Sequence, residues 1–368
     1  MAIKKLNIEG LRGFSKKAEI EFAVPDGKNY GSGLTVLVGP NNSGKSTVIE
    51  AIHLLSANVK TVPKSARNKV NDEKILIEVI DSIGNKISLN STENGGSYIE
   101  RKYNDKIEEN YWNNKLNTFV LTSKRNFSST FNSNNYQTRE NYKGNIGDSE
   151  YRTESNINSN FGGRLLNIYN RKELFEKCLE KALNPIPEWT IESENENTSY
   201  LEFSFNGVKH SSKGAGDGYI NIFNVVDSLY DSSENNVILI DEPEISLHPD
   251  LQKKLFELLV EYSKDKQIII STPSPYFVNW ELFSEHSKII RFRKENEYIE
   301  FYELSQNSKN GIKKILNDLN NIHTLSLDAN NIFFLQDNII LTEGQDDVIC
   351  YPKIFQQYDY IPNASFFG

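Results

Sequence analysis

The run Gly39-Pro40-Asn41-Asn42-Ser43-Gly44-Lys45-Ser46 satisfies the pattern G-x-x-x-x-G-K-[ST] at every fixed position. It follows the apolar stretch Leu34-Thr35-Val36-Leu37-Val38 and precedes an apolar-periodic stretch from Ser46 to Leu55, which predicts strand, glycine turn and helix in that order. Such a turn lets backbone N–H groups close on phosphate oxygens, with the helix N-terminus adding a favourable dipole. Lys45 would neutralise the outer phosphates of a nucleoside triphosphate, and Ser46 would ligate its magnesium. Gly39, Asn41, Asn42, Ser43, Gly44, Lys45, Ser46 and Thr47 are the candidate nucleotide-binding residues, with ATP and Mg2+ as the expected cofactors. An ordinary glycine turn would not be expected to meet every fixed position with strand and helix in place.

Composition sets the outer bounds. A chain of 368 residues can bury a sizeable core, and 38% hydrophobic content is enough for a folded protein. No stretch approaches the roughly 18 apolar residues of a membrane helix, and the alternating start Ile3-Lys4-Lys5-Leu6-Asn7-Ile8 lacks the apolar block of a signal peptide. Cys178 and Cys350 are too few for a disulfide framework or a zinc site. A cytoplasmic protein with no membrane partner is therefore expected. The net charge of -9 argues against coating nucleic acid by bulk charge but leaves room for a local basic groove.

Further strands are expected at 4–9, 18–22, 74–80, 86–89, 98–101, 118–121, 199–205, 237–240, 267–271, 288–292 and 338–342. Helices are expected at 164–182, where Leu165, Ile168, Leu174, Cys178 and Leu179 would form one buried face, and at 218–229, 249–262, 311–319 and 346–357. Residues 123–160, rich in Asn, Ser, Tyr and Arg, read as a long surface insertion. Lys124, Arg125, Arg139, Arg152 and Arg164 make this region basic, with Tyr136, Tyr142 and Tyr151 available for stacking. Contact with a nucleic-acid backbone and a solvated loop are the two readings, and intermixed acidic residues favour the loop.

The apolar run Val237-Ile238-Leu239-Ile240 ends in Asp241-Glu242-Pro243-Glu244. Beside a phosphate loop, Asp241 would hold the magnesium shell and Glu242 would polarise the attacking water as general base. Together with Ser246-Leu247-His248-Pro249, this stretch resembles the Walker B and D-loop of ABC-type ATPases. It is most similar to the recombination-mediator, SMC-like and OLD (overcoming lysogenization defect) subgroup. The opening Leu6-Asn7-Ile8-Glu9-Gly10-Leu11-Arg12-Gly13-Phe14 is similar to that subgroup's start, and the resemblance implies that Arg12 meets the nucleotide. ABC ATPases close a serine-glycine signature of one subunit over the nucleotide of another. The candidate here is Ser211-Ser212-Lys213-Gly214-Ala215-Gly216-Asp217-Gly218, with Ser212, Gly214 and Gly216 as phosphate-facing residues of a homodimer or larger homo-oligomer. It departs from the usual signature, and a plain glycine loop is the alternative. The switch histidine of related ATPases falls on Pro273 in Ser271-Thr272-Pro273-Ser274-Pro275, so slow or partner-dependent hydrolysis is expected. No Q-loop glutamine is assigned. Of the histidines, His248 falls in the D-loop near the expected dimer interface, whereas His53, His210, His286 and His323 read as structural.

The segment Asn338-Ile339-Ile340-Leu341-Thr342-Glu343-Gly344-Gln345-Asp346-Asp347 resembles the first motif of TOPRIM domains. The resemblance implies Glu343 and Asp347 as catalytic, Mg2+- or Mn2+-binding carboxylates in phosphodiester chemistry. An ATPase head before a TOPRIM domain is the layout of OLD-family proteins, including Gabija-type and retron-associated antiphage nucleases. The expected architecture is α/β: an ABC-type P-loop head at 1–335 with a mixed sheet and the insertion at 123–160, then the truncated start of a TOPRIM α/β domain at 336–368, where 363–368 reads as a second strand cut short. The expected function is an ATP-hydrolysing head that dimerises and gates a TOPRIM DNA endonuclease in antiphage defence, with DNA and a partner protein or nucleic acid as ligands. The alternative is a nucleotide-gated sensor or repair-type ATPase that controls a partner effector without cutting DNA.

Overall fold

The computed structural model describes residues 2–56, 62–71, 74–91, 99–107, 116–125, 127–142, 161–212, 216–232, 237–295, 298–316, 339–341, 350–351, 353–355 and 365–367. In chain order the elements begin with β1 (Ile3–Glu9), β2 (Ala18–Glu21), β3 (Leu34–Val38) and α1 (Lys45–Ser56). Next come β4 (Leu76–Asp81), β5 (Lys86–Ser91), β6 (Ile99–Tyr103), β7 (Lys106–Ile107), β8 (Thr118–Leu121) and β9 (Thr130–Asn132). The middle of the chain forms α2 (Phe161–Tyr169), α3 (Lys172–Ala182), β10 (Glu188–Asn195), β11 (Thr198–Phe205), β12 (Val208–Ser211), α4 (Asp217–Tyr230) and β13 (Val237–Asp241). Then follow α5 (Pro249–Tyr262), β14 (Gln267–Thr272), α6 (Trp280–Glu285), β15 (Lys288–Glu295), β16 (Tyr298–Glu303), α7 (Gln306–Leu316), β17 (Ile339–Leu341) and β18 (Ser365–Phe367).

Near-continuous apolar runs make β3, β13 and β14 buried on both faces, as a covered parallel sheet requires. The central sheet has the order β16-β15-β3-β14-β13-β8, parallel except for β16. Strand alternation then sorts its side chains. Leu34, Val36, Val38, Ile238, Ile240, Ile268 and Ile270 share one core with Leu165, Phe175, Phe223 and Leu255 of the helices α2 to α5. Leu37, Val237, Leu239 and Ile269 face the opposite core, with Val48, Ile49, Ile52 and Leu55 of α1 and with Leu6, Ile8, Ile77 and Val79 of the antiparallel sheet β2-β1-β4-β5-β6-β7. Full burial of each such side chain stabilises by about 1.5–3 kcal/mol. Gln267 links the two sheets: its Nε2 donates to the carbonyls of Ile3 and Ala23 at 2.6 and 2.8 Å, and its Oε1 accepts from Ile3 N at 2.6 Å.

Several expectations need correction. The helix expected at 164–182 is two helices. Arg171, at φ -130° and ψ 36°, breaks the run, and its N–H turns back to Ile168 O at 2.8 Å. The break rotates α3 so that Phe175, not Leu174, enters the core. Phe175 packs against Trp189 and Phe223 with ring centroids 5.9 and 5.2 Å apart, while Leu174 is 57% exposed. The described part of the 123–160 insertion is neither a surface loop nor a stacking surface throughout. Within it β9 joins β11, and Phe131 and Tyr142 are core residues. The strands β10 and β12, unassigned from sequence, flank β11 in the same sheet.

The basic residues Arg139 and Arg164 are buried ion-pair partners rather than solvent or nucleic-acid contacts. Arg164 donates to Asp227 Oδ1 at 2.9 Å, to Asn167 Oδ1 at 2.9 Å, to the Tyr230 hydroxyl at 3.0 Å and to Asp231 Oδ2 at 2.5 Å. Arg139 binds the same two carboxylates, at 3.2 Å to Asp227 Oδ2 and 2.6 Å to Asp231 Oδ1. This cluster welds the 127–142 segment and α2 to the C-terminal half of α4. Arg152 and Tyr151 lie outside the described residues. So do His323 and residues 143–160.

Near the end of the chain, β17 and β18 pair in parallel with Ile339 opposite Ser365 and Leu341 opposite Phe367. Residues 350–351 and 353–355, between them in sequence, are helical. No described helix is long and apolar enough to cross a membrane.

Removing one partner of a buried ion pair leaves an uncompensated charge, which costs about 3–5 kcal/mol. Arg164→Ala is expected to lower unfolding free energy by about that amount in urea denaturation. A loss below about 1 kcal/mol would mean that this cluster does not hold α4 in place.

Candidate functional site

The parallel sheet brings the carboxyl ends of β3, β14, β13 and β8 to one edge, the position where open α/β sheets hold ligands. Each supplies part of the site. From β3 the chain enters the glycine turn. Gly39, at φ +140°, leaves no room for a side chain, because a Cβ would lie 2.2 Å from Phe292 O of β15. Gly44, at φ +102°, is covered by Ile299 of β16, which a Cβ would meet at 2.4 Å. Asn41 and Asn42 are exposed at the tip, and Asn42 holds a left-handed φ of 64° that asparagine tolerates. Thr47 is buried in the first turn of α1, with its N–H on Gly44 O at 3.0 Å.

Lys45 is 5% exposed and folds its Nζ back onto the carbonyls of Gly39 and Pro40, at 2.8 and 2.9 Å. Burial pulls its pKa below the usual lysine range, against the opposing pull of Asp241, Glu242 and Glu244. The Ser43 hydroxyl is buried with no hydrogen-bond partner among the described residues. A desolvated ammonium, an unmet hydroxyl and a helix N-terminus at one turn fit a bound polyphosphate.

From β13 comes Asp241, 2% exposed. Its Oδ1 accepts from Ser46 Oγ at 2.9 Å and from Ser271 Oγ at 2.7 Å. This joins the first turn of α1 to the ends of β13 and β14. The donor set suits magnesium: hard oxygens from one carboxylate and one hydroxyl, few enough that the ion keeps several waters. Glu242 follows with φ 51°, a left-handed conformation that a non-glycine residue keeps only when its surroundings enforce it. Its N–H is fixed to Ser271 O at 2.7 Å, and burial followed by the Asp241 charge raises its carboxyl above the ordinary range.

Four residues with no role at this edge in the sequence reading, Arg125, Asn221, Glu244 and Ser274, complete it. Arg125, four positions beyond β8, donates to Thr122 O at 2.9 Å, to the carbonyl of Asp241, to Glu242 O at 3.2 Å and to Asn221 Oδ1. Its expected solvent or nucleic-acid role is therefore replaced by an internal one. Asn221 of α4 in turn donates to Pro243 O at 2.9 Å and Ile245 O at 2.7 Å. Glu244 accepts from Thr272 Oγ1 at 2.8 Å, and burial pushes its carboxyl up to about 7. At the switch position Pro273 is followed by Ser274, whose N–H returns to Thr272 Oγ1 at 2.9 Å and whose Oγ donates to Gln252 at 2.6 Å.

Arg12 lies at φ 48° in the turn after β1. It holds the buried Glu50 of α1 through paired bonds of 2.5 and 2.9 Å. Of the signature candidates, Ser212 is buried with its hydroxyl unmet among the described residues, Gly216 is the N-cap of α4, and Gly214 lies outside the described residues. Gly218 lets α4 approach the turn after β13 closely: a Cβ there would lie 2.6 Å from Ser246 O. An open cavity of about 670 Å3 lies at this junction, lined among others by Lys124, Arg125, Ser212, Asp217, Asn221 and Ser246. His248 is exposed and caps α5, its Nδ1 3.4 Å from Asp250 N. Glu343 and Asp347 lie outside the described residues.

Glu244 gives a stability test. Its carboxyl has an ordinary value of 4.5 and a folded value of about 7. Between those values the folded state keeps a proton that the unfolded chain has released. Stability is therefore lost as pH rises from 4.5, and the loss is complete above 7, at about 3 kcal/mol. Glu244→Gln abolishes this loss, so it gains on the native chain between pH 5 and pH 8 in urea denaturation. An equal difference at both pH values would contradict the burial of an ionisable carboxyl there.

Solved structures share this fold. One is an SMC head bound to the C-winged helix domain of ScpA, at TM-score 0.55 and 16% identity over 83% of this chain and 98% of that one. Another is an SMC head with an extended coiled coil bound to the C-terminal domain of ScpA derived from Pyrococcus furiosus. It matches at TM-score 0.55 and 13% identity over 86% of this chain and all (100%) of that one. The chain thus has the ABC-type P-loop ATPase head fold. A curated relative, the OLD nuclease of Thermus scotoductus, is 29% identical over 129 residues, or 34% of this chain. The match spans only 24% of that relative's length. The family model described as "AAA domain, putative AbiEii toxin, Type IV TA system" matches residues 34–279, and the chain belongs to that family of ATPase domains.

Proposed function

We propose that this ATPase head binds ATP at the Gly39–Thr47 turn, dimerises through its 212–218 and 245–248 segments, and gates a TOPRIM-type DNA endonuclease. The observation that carries the ATP site is the Asp241 carboxylate held between Ser46 and Ser271, with a buried Lys45 beside Ser46 in the first turn of α1. In this reading Lys45 exchanges its loop carbonyls for phosphate oxygens, which relieves its desolvation. Ser43 and the amides of the turn donate to the same phosphates. Ser46 and Asp241 hold magnesium, which when bound supplies positive charge against the developing phosphate charge. Glu242 takes the proton of the attacking water at its carboxylate, and its raised pKa suits that task. Arg12 acts from the rim while anchored to Glu50.

Ser212, Gly214 and Gly216 would offer the signature to a second head. The approach of Gly218 to Ser246 supports this, because it sets the signature candidate against the turn that leads to His248. The domain reading assigns 1–335 to the head and 336–368 to the start of a TOPRIM domain. Support comes from the parallel β17–β18 pair with helical residues between the strands in sequence, and from the similarity to an OLD nuclease. Glu343 and Asp347 would then be metal-binding catalytic carboxylates using Mg2+ or Mn2+, in a cytoplasmic antiphage nuclease acting on DNA.

A second reading is favoured by Pro273. Without an imidazole at the switch position, the head would hydrolyse ATP slowly and serve as a nucleotide-gated sensor of a partner protein or nucleic acid. The solved SMC head bound to a domain of ScpA is a precedent for partner docking on this fold.

Lys45→Ala is expected to abolish ATP binding by calorimetry. Glu242→Gln should retain binding, lose turnover by about 100-fold or more, and accumulate as a dimer with ATP on size exclusion. A Glu242→Gln chain that turns over ATP at the native rate would end the general-base assignment. In the full-length protein, Glu343→Ala should abolish Mn2+-dependent DNA cleavage while ATP binding is unchanged. Cleavage at the native rate would remove Glu343 from the nuclease site, and no cleavage by the native full-length protein would leave the sensor reading standing.

A further inference from the structure

The Glu242 backbone is left-handed, a conformation that a non-glycine residue keeps only where neighbouring groups over-determine it. Its N–H is held by Ser271 O at 2.7 Å. Its carbonyl, and that of Asp241, are both held by one guanidinium, that of Arg125. The same guanidinium reaches Asn221 Oδ1, and Asn221 Nδ2 grips the next carbonyls of the turn, those of Pro243 and Ile245. Arg125 is itself anchored through Nε to Thr122 O at 2.9 Å, immediately beyond β8. Since β8 is the parallel neighbour of β13, the anchor sits on the sheet edge beside the turn it holds. A planar fork with five donors suits this task, and a lysine could not satisfy four acceptors in that geometry.

We propose that Arg125 is a positioning residue for ATP hydrolysis: with Asn221 as its partner, it holds the Asp241–Glu242 turn so that the Glu242 carboxylate faces the phosphate loop. The proposal rests on Glu242 as general base. The Arg125 guanidinium grips the carbonyls of Asp241 and Glu242 and the side chain of Asn221, so its effect is expected on turnover rather than on nucleotide capture. It also ties the second turn of α4, which begins beside the signature candidate, to the catalytic turn. Displacement of α4 therefore displaces Glu242.

The test compares native chain, Arg125→Ala, Arg125→Lys, Asn221→Ala, the Arg125→Ala/Asn221→Ala pair and Glu242→Gln, all in the same chain. For each, kcat and KM for ATP and the affinity for a fluorescent ATP analogue are measured. Arg125→Ala is expected to lower kcat about 10- to 100-fold, with KM and analogue affinity within about 2-fold of native. Arg125→Lys should recover part of that loss. The double variant should lose less than the sum of the two single losses, as two residues acting on one turn require. Native kcat in Arg125→Ala, with turnover lost in Glu242→Gln, overturns the proposal and leaves the general-base reading intact. Native kcat in both overturns both. Loss of analogue affinity in step with kcat also overturns the proposal, because it would mean that Arg125 supports the fold or the binding site as a whole. If Arg125→Ala does not fold, Arg125→Lys decides: native kcat with native affinity overturns the proposal, and reduced kcat with native affinity supports it.

Discussion

The Oδ1 atom of Asp241 accepts hydrogen bonds from Ser46 and Ser271 at once, and through them it joins three elements distant in sequence: the first turn of α1, the end of β13 and the end of β14. A carboxylate 2% exposed needs such partners, since an unpaired charge at that depth would be costly. The same two hydroxyls fix where the oxygen points. Lys45 is close enough to feel the field of Asp241, yet it is hydrogen-bonded to its own loop. The edge therefore holds a carboxylate, a hydroxyl and an ammonium together, as the proposed magnesium–ATP site requires, and the chain belongs to a family of ATPase domains.

The central sheet makes this joint stiff. Both faces of β3, β13 and β14 are buried, one against α2 to α5 and the other against α1 and the antiparallel sheet. The two cores hold the strand ends in register: Asp241 is paired with Ser271, and Thr272 with Val38. On so firm a base the chain can hold Glu242 in a left-handed conformation, and the turn after β13 can bring Ser246 against the start of α4.

Most of the phosphate edge was legible in the sequence because its signals are contiguous. The glycine turn with its strand and helix lies within residues 34–56, and the acidic end of β13 within residues 237–244, and each carries its own context. The strand positions of the central sheet were legible as apolar runs. What could not be read depended on partners far along the chain. Arg125 reads as a basic loop residue until the sheet order sets β8 beside β13. Arg139 and Arg164 read as solvent or nucleic-acid contacts, although their acids, Asp227 and Asp231, lie more than sixty residues on. Leu174 satisfied the helical spacing as well as Phe175 did. The turn at Arg171 and the aromatic cluster around Trp189 decided between them. The strands β9, β10 and β12 carry weak alternation and gain their pairing from β11.

The central claim is that Ser46 and Asp241 form the metal half of one ATP site whose other half is Lys45. The most direct measurement is the ATP affinity of the native chain by calorimetry, with Mg2+ and with a chelator. The account predicts binding that Mg2+ tightens by about 10-fold or more, worth roughly 1.4 kcal/mol or more. Equal affinity with and without Mg2+, or no binding at all, would contradict it.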